Sequence, residues 1–221
     1  MSKVTFAEIK HCEEISTYIR QADISLKSMG YTEHSFAHVT RCAEFASSWL
    51  LQLGGTEREA ELARIAAYMH DIGNVVNRHG HAQSGALMAF RLLEKKGMPP
   101  EELAVVVTAI GNHDESSAYP VNAVAAAVIL ADKTDVRRTR VRNDDIAAFD
   151  IHDRVNYAVT RADTALDMEA RTLTLDLDVD TEICPVMDYF EIFLNRMLLC
   201  RRAAAFFDVR FRLIINGSVL M

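Results

Sequence analysis

The sequence predicts a mainly α protein: a helical body over residues 1–165, followed by a small β-α-β element over residues 166–221. Three observations predict this. Two capping boxes, Thr5 with Glu8 and Thr56 with Glu59, open apolar runs of helical period. Pro99-Pro100-Glu101-Glu102 sets proline in a first turn and acids near the positive end of a helix dipole. Beyond residue 172 the period changes from that of a helix to two.

In chain order, the first helix opens at Thr5, carries Ile9, Ile15, Ile19 and Ile24, and ends at Gly30. Thr32 caps a second, with Phe36, Val39, Ala43, Ala46 and Leu50 inward, until Gly54-Gly55. Thr56 opens a third through Leu62, Ile65, Ala66 and Met69 to about Asp71. A fourth spans 82–96 and is closed by Gly97; the fifth starts at the proline pair. Pro120 precedes a very apolar sixth, Val121 to Ala131, and one or two more helices fit between Asp144 and Leu166. Then Leu173, Leu175, Leu177 and Val179 alternate with Thr174, Asp176 and Asp178, which is a half-buried strand. Thr181 to Ala205 reads as helix, with Pro185 tolerable only in its first turn. Val209, Phe211, Leu213 and Ile215 form a second strand, and Asn216-Gly217 a turn. A two-stranded sheet seldom stands alone, so its exposed edge points to a homodimer.

Composition narrows the function. Lys plus Arg is 24 against 31 Asp plus Glu, a net charge of −7, which argues against duplex nucleic acid as a partner. A small phosphorylated substrate needs only a local positive site and stays open. No stretch approaches the roughly 18 uncharged residues of a membrane span. The N-terminal segment, with Lys3, Glu8 and Lys10, lacks the apolar core of a signal peptide, so no membrane partner and a cytoplasmic location are expected. The four cysteines are scattered, without a CxxC pair, and read as reduced, mostly buried thiols.

Six polar residues sit where packing gives no reason for them: His38, His70, Asp71, His81, His113 and Asp132, at helix ends or inside apolar helices. Burying an imidazole or carboxylate is costly unless it is paired or binds metal. His70 and Asp71 close an amphipathic helix beside Gly73, so both side chains can converge on one point. Asp132 ends the apolar run Ala-Val-Ile-Leu-Ala-Asp. Mixed His and carboxylate donors suit a divalent transition metal (Fe, Mn, Ni, Co or Zn); magnesium and calcium prefer all-oxygen shells.

In this order and context the residues resemble the HD-domain superfamily of metal-dependent phosphohydrolases, over about residues 32–142. His38-Val-Thr-Arg-Cys-Ala-Glu-Phe-Ala, Met-His70-Asp71-Ile-Gly and Ile-Leu-Ala-Asp132-Lys match its His, His-Asp and distal Asp segments. His81-Ala-Gln-Ser-Gly-Ala and Asn-His113-Asp-Glu, followed by Tyr119-Pro120, are similar to the extra histidine segments of binuclear members. The resemblance implies an HD-type helical bundle with one or two metals per chain. One metal would sit on His38, His70, Asp71 and Asp132; a second on Asp71, His81 and His113, with Asp71 bridging. It implies hydrolysis of a phosphate ester or anhydride, on a nucleotide or small phosphorylated metabolite, by metal-activated water that Asp71 would also orient.

Catalysis also needs cations for the phosphate, and Lys133 and Arg137, just past Asp132, are the expected ones. The rest of the basic run to Arg142 reads as a solvated face. Asn74 stands where many cyclic-dinucleotide phosphodiesterases carry Lys, and Asn74 to Asn77 lack the acids of guanosine-tetraphosphate hydrolases; compact dinucleoside-polyphosphate hydrolases are the nearer likeness. Two other readings share the residue set: an HD-type di-iron oxygenase, and a metal-holding regulatory domain without turnover. His34, one turn before His38, faces the same way. His81 is preferred over His79 because Gly85-Ala86 follows it, and His11 and His152 are expected at the surface. Asp114 and Glu115 read as solvated loop acids, with contact to the second metal as the alternative, and Asp176, Asp178 and Asp180 as the wet side of a strand.

Overall fold

A computed structural model describes residues 3–143 and 149–221 of the chain. The body is helical and is followed by a four-stranded sheet with one helix packed against it. In order, the helices of the body are α1 (Phe6–Lys10), α2 (Glu13–Ser28), α3 (Phe36–Gln52), α4 (Glu57–Met69), a 3₁₀ turn at Ile72–Val75, α5 (His81–Lys95), α6 (Pro100–Gly111) and α7 (Ala123–Lys133). A second 3₁₀ turn, Arg138–Arg140, and α8 (Ile151–Ala158) lead to the sheet.

The centre of the body is α7. Every residue from Val124 to Lys133 is buried. A helix that is apolar all round has no solvent face to offer, and its many alanines let α3, α4, α6 and the later helix α9 (Val186–Ala205) approach closely. The same burial carries Asp132 and Lys133, at the C-terminal end of α7, into the interior.

Both capping boxes form as expected, at Thr5 with Glu8 and at Thr56 with Glu59. Three expectations are corrected. The first helix is two, broken at His11-Cys12. Ile9 and Ile15 would lie roughly 120° apart on a continuous helix, and the break lets both reach the core. The second predicted helix is capped by Ser35, which accepts from the Ala37 N–H, not by Thr32, whose carbonyl instead accepts from His34 Nδ1. Of the stretch read as helix between Asp144 and Leu166, residues 144–148 lie outside the described residues; α8 is helical, and from Val159 the chain is a strand.

The sheet runs β1 (Val159–Asp167), β2 (Thr172–Val179), β3 (Arg210–Ile215), β4 (Ser218–Val219), in that spatial order. It therefore has four strands where two were expected. β1 was hidden because its inward residues are weak markers: Ala162, Thr164 and Leu166 are only half-buried, and Asp163 and Ala165 sit between them. β1 and β2 are antiparallel. β2 and β3 are parallel, joined by the crossover helix α9 (Val186–Ala205), and Leu173, Leu175 and Leu177 register with Phe211, Leu213 and Ile215. Tyr189, Phe193, Met197, Cys200 and Ala204 make the buried stripe of α9. Asn216 and Gly217 both take left-handed φ, 51° and 77°, as a tight primed hairpin turn between β3 and β4 requires. Among the described residues the cysteines are free, three of them buried, and no helix is long and apolar enough to cross a membrane.

Candidate metal centre

Five separate segments end at one point. His38 comes from the first turn of α3, His70 and Asp71 from the end of α4, His81 from the first residue of α5, His113 from just past α6, and Asp132 from the last turn of α7. All six are buried. Gly73 makes the convergence possible: a Cβ there would lie 2.0 Å from the His81 carbonyl oxygen and 2.4 Å from the Gly85 nitrogen. Only glycine lets the turn after Asp71 press against the start of α5.

The four imidazoles share one arrangement. His70, His81 and His113 donate Nδ1–H to the carbonyls of Ala67 (2.6 Å), Arg78 (2.9 Å) and Ile110 (2.6 Å), each three residues back. His38 Nδ1 bonds instead to Asp135 Oδ2 at 2.7 Å. Anchoring Nδ1–H fixes the tautomer and leaves each Nε2 lone pair turned inward. Asp71 stands between two sets of them. Its Oδ2 is 3.1 Å from His70 Nε2 and 3.7 Å from His38 Nε2; its Oδ1 is 3.5 Å from His81 Nε2 and 3.9 Å from His113 Nε2. Asp132 Oδ1 is 3.4 Å from His38 Nε2 and 3.7 Å from His70 Nε2.

These donors fit a metal. His70 Nε2 is buried and makes no hydrogen bond, since Asp71 Oδ2 lies close but out of line. His81 Nε2 and His113 Nε2 face one another at 3.1 Å, and Arg78 Nη1 is 3.3 Å from the first. Donor atoms of His38, His70 and Asp71, of His70, His113 and Asp132, and of Asp71, His81 and His113 each fall within 4.8 Å of one another. The cluster of histidine and aspartate donors implies a divalent metal.

The electrostatics ask for positive charge in the same place. Burial opposes ionisation of Asp71 and Asp132, but the neighbouring histidines, with Lys133 beside Asp132, hold both carboxyls well below their usual range. Burial likewise opposes a charge on His70, yet Asp71 and Asp132 outweigh it and raise the imidazole to about 10. Burial pushes His113 down to about 3, with His70 adding to the effect, and lowers His34 and His81 against the pull of Asp71.

Comparison with known proteins bears on the same residues. A family model described as HD domain matches residues 35–137. Residues 35–137 are an HD domain. The match takes in His38, His70, Asp71, His81, His113 and Asp132 and leaves out α8, α9 and the sheet. An uncharacterized protein from Methanocaldococcus jannaschii is 26% identical over 162 residues, 63% of this chain and 62% of its own length. A solved structure, titled as a predicted HD superfamily hydrolase from an uncultured Thermotogales bacterium, aligns at 26% identity over 57% of this chain and 69% of that one, with a TM-score of 0.46.

Asp71, His81, His113 and Asp132 open onto a cavity of about 510 Å³, while His38 and His70 lie behind its wall. His34 is on the wall, with Nε2 4.0 Å from Asp71 Oδ2 and Nδ1 bound to the Thr32 carbonyl. Lys133 is on the wall as well, its Nζ 2.7 Å from Asp132 Oδ2. Arg137 is not: Asp135 takes its guanidinium, with Nε to Oδ1 at 2.5 Å and Nη2 to Oδ2 at 2.9 Å. The rest of the basic run is not a solvated face. Arg138 stacks on the Tyr157 ring at 4.5 Å, Arg140 is buried on the carbonyls of Glu33 and Asp135, and Arg142 pairs with Asp23. Glu115 is not a solvated loop acid either, for Arg196 holds its Oε1 at 2.7 Å. Asp114 Oδ1 is 4.0 Å from His81 Nε2. His79 and His11 take no part, while His152, exposed, stands at the cavity rim.

Sequence reasoning missed three residues here. Asp135, with a fully buried side chain, props His38; its place three residues beyond Asp132 was a readable signal. Arg78 lies between Asn74 and His81 and only its proximity to His81 hinted at a role. Arg196 comes from α9, outside the HD match, and no sequence pattern pointed to it.

Proposed function

We propose that this chain is a metal-dependent phosphohydrolase with a two-metal site, acting on a nucleotide or small phosphorylated metabolite. The observation that carries this reading is Asp71, whose two carboxylate oxygens each face a different pair of imidazole nitrogens: Oδ2 toward His38 and His70, Oδ1 toward His81 and His113. In this reading one metal would be held by His38, His70, Asp71 and Asp132, and the other by Asp71, His81 and His113. Bound metal supplies an acidified water and neutralises charge on a phosphoryl group.

The chain's own residues supply the remainder. Asp135 and the three backbone carbonyls hold the imidazoles in the donor tautomer. In this reading Asp71 would also orient a water beside it. Lys133 neutralises Asp132 and faces the cavity. Among the described residues the wall carries four fixed cations, Arg78, Lys133, Arg140 and Arg196, against six carboxylates, so an anion would be repelled until divalent metal tips the balance. That balance favours an anionic substrate and ties its binding to metal loading.

The test is elemental analysis of the protein purified without added metal, paired with a phosphoester panel and oxygen uptake. About two metals per chain, with phosphate release lost in Asp71→Asn, is the expected result. Two irons with oxygen consumption and no phosphate release would replace this reading with the di-iron oxygenase. Metal bound without any turnover would leave a regulatory domain.

A further inference from the structure

The C-terminal element is built into the wall of the HD cavity. Ile192, Phe193 and Arg196 lie at i, i+1 and i+4 on α9, and all three line it. Arg196 arrives at the end of a ladder of alternating charge. Asp132, whose Oδ1 faces the histidines, pairs through Oδ2 with Lys133 Nζ at 2.7 Å; Lys133 Nζ is 3.7 Å from Glu115 Oε1; and that oxygen is 2.7 Å from Arg196 Nε.

The guanidinium is held on two sides. Its Nε is committed to Glu115, and its plane rests on the Phe193 ring with Cζ 4.5 Å from the centroid. Burial opposes the charge, but Glu115 and Asp132 outweigh it and raise its pKa above the ordinary value. Among the described residues Glu115 is its only hydrogen-bond partner, so the two terminal amino groups keep their donors for a ligand. A rigid, charged fork with its outer edge unspent is suited to bidentate contact with an oxyanion.

Resting on the phosphohydrolase reading above, we propose that Arg196 is a substrate-binding residue, contacting a second anionic group of the substrate. Lys133 and Glu115 stand between it and Asp132, so the anion it meets is the next one along the cavity, not the one held against Asp71. The substrate class is then a compound with two linked anions, such as a diphosphate, and α9 selects it over a monoester with no second charge.

Calorimetric binding of methylenebisphosphonate and of orthophosphate to the manganese-loaded full chain tests this, with metal content read on the same samples. In Arg196→Gln, bisphosphonate affinity is expected to fall about 10- to 100-fold, the worth of one or two charge-assisted hydrogen bonds, while orthophosphate changes less than about threefold. Arg196→Lys should restore part of the loss, because it returns the charge without the fork. Unchanged bisphosphonate affinity in a folded, metal-loaded Arg196→Gln would overturn the proposal, as would equal losses for both anions, which mark a merely structural ion pair. If the wild-type protein holds metal but binds neither anion, the phosphohydrolase reading fails first and this assignment with it.

Discussion

His81 Nε2 lies 3.1 Å from His113 Nε2, although both rings give their Nδ1–H to a carbonyl three residues earlier in the chain. Two lone pairs set face to face in a buried site repel unless a cation lies against them. Removing metal with a chelator is therefore expected to lower the melting temperature by about 5 °C or more, and manganese to restore it. Scanning calorimetry of treated, untreated and reloaded protein measures this; identical curves would contradict it.

The metal-stripped protein should show a stability maximum near pH 6.5. His113, pushed down to about 3, takes up its proton in the unfolded chain first, so stability is lost as pH falls from about 6.5 toward 3. His70, raised to about 10, contributes stability below its unfolded value that is lost as pH rises from about 6.5 toward 10. Melting temperature against pH in the presence of chelator reads both arms. His70→Gln should abolish the alkaline arm and only shrink the acid one, because burial depresses His113 more than His70 does.

Gly73→Ala should cost more than any other glycine-to-alanine change here. The new methyl would meet backbone atoms of His81 and Gly85, which have nowhere to go. Overpacking of this kind costs on the order of 1–3 kcal/mol, and it would also part Asp71 from His81. Gly111→Ala, whose methyl would meet only the Ala86 side chain at 3.6 Å, is the matched control and should melt close to wild type. Metal content of the two variants, measured together with melting, separates lost packing from lost ligand geometry.

Asp135→Asn should weaken metal binding by about 10- to 100-fold, the usual effect of removing a carboxylate that orients a ligating histidine. The acceptor for His38 Nδ1 remains but its charge does not, and Arg137 and Arg41 lose their partner. Competition with a metallochromic chelator gives the affinity. A variant that binds metal as tightly as wild type would remove Asp135 from the site.

Arg137 and Lys133 should part company on substitution. Arg137→Gln breaks a contact with Asp135 at the back of His38, so it should lower melting temperature while changing KM less than about twofold. Lys133→Met removes a cation from the cavity wall and should raise KM, once a substrate is in hand. The reverse pattern would restore Arg137 to the substrate side.

How far the sequence spoke depended on whether a residue's role left a local trace. The helices of the body were legible because Thr5, Thr56 and Pro100 write their caps within four residues of the apolar runs they start. Asp132 was legible because an acid at the end of an otherwise apolar helix has no packing purpose. β1 was not, because an edge strand beside Arg161 and Asp163 needs little burial and its inward residues are weak markers. The two ends of Arg137 illustrate the limit most directly: a cation five residues past Asp132 reads as near the site, but direction depends on Asp135, which claims the guanidinium first. Arg196 left no trace at all, since what places it is the return of a crossover helix over α7, some sixty residues downstream of Asp132.

His38 and its prop Asp135 are 97 residues apart in the chain. A cation shared by His38 and Asp132 would act as a covalent bridge does, closing nearly the whole HD domain into one loop in any partly unfolded form. For a loop of that size the chain-entropy estimate is about 4.7 kcal/mol, to the extent that the ion stays bound as the chain opens. With its cysteines free, this protein has no sulfur bridge among the described residues to do that job. The ion would then be a knot as well as a reagent, and its loss would show as cleavage by proteases between α3 and α7 before any change in the sheet.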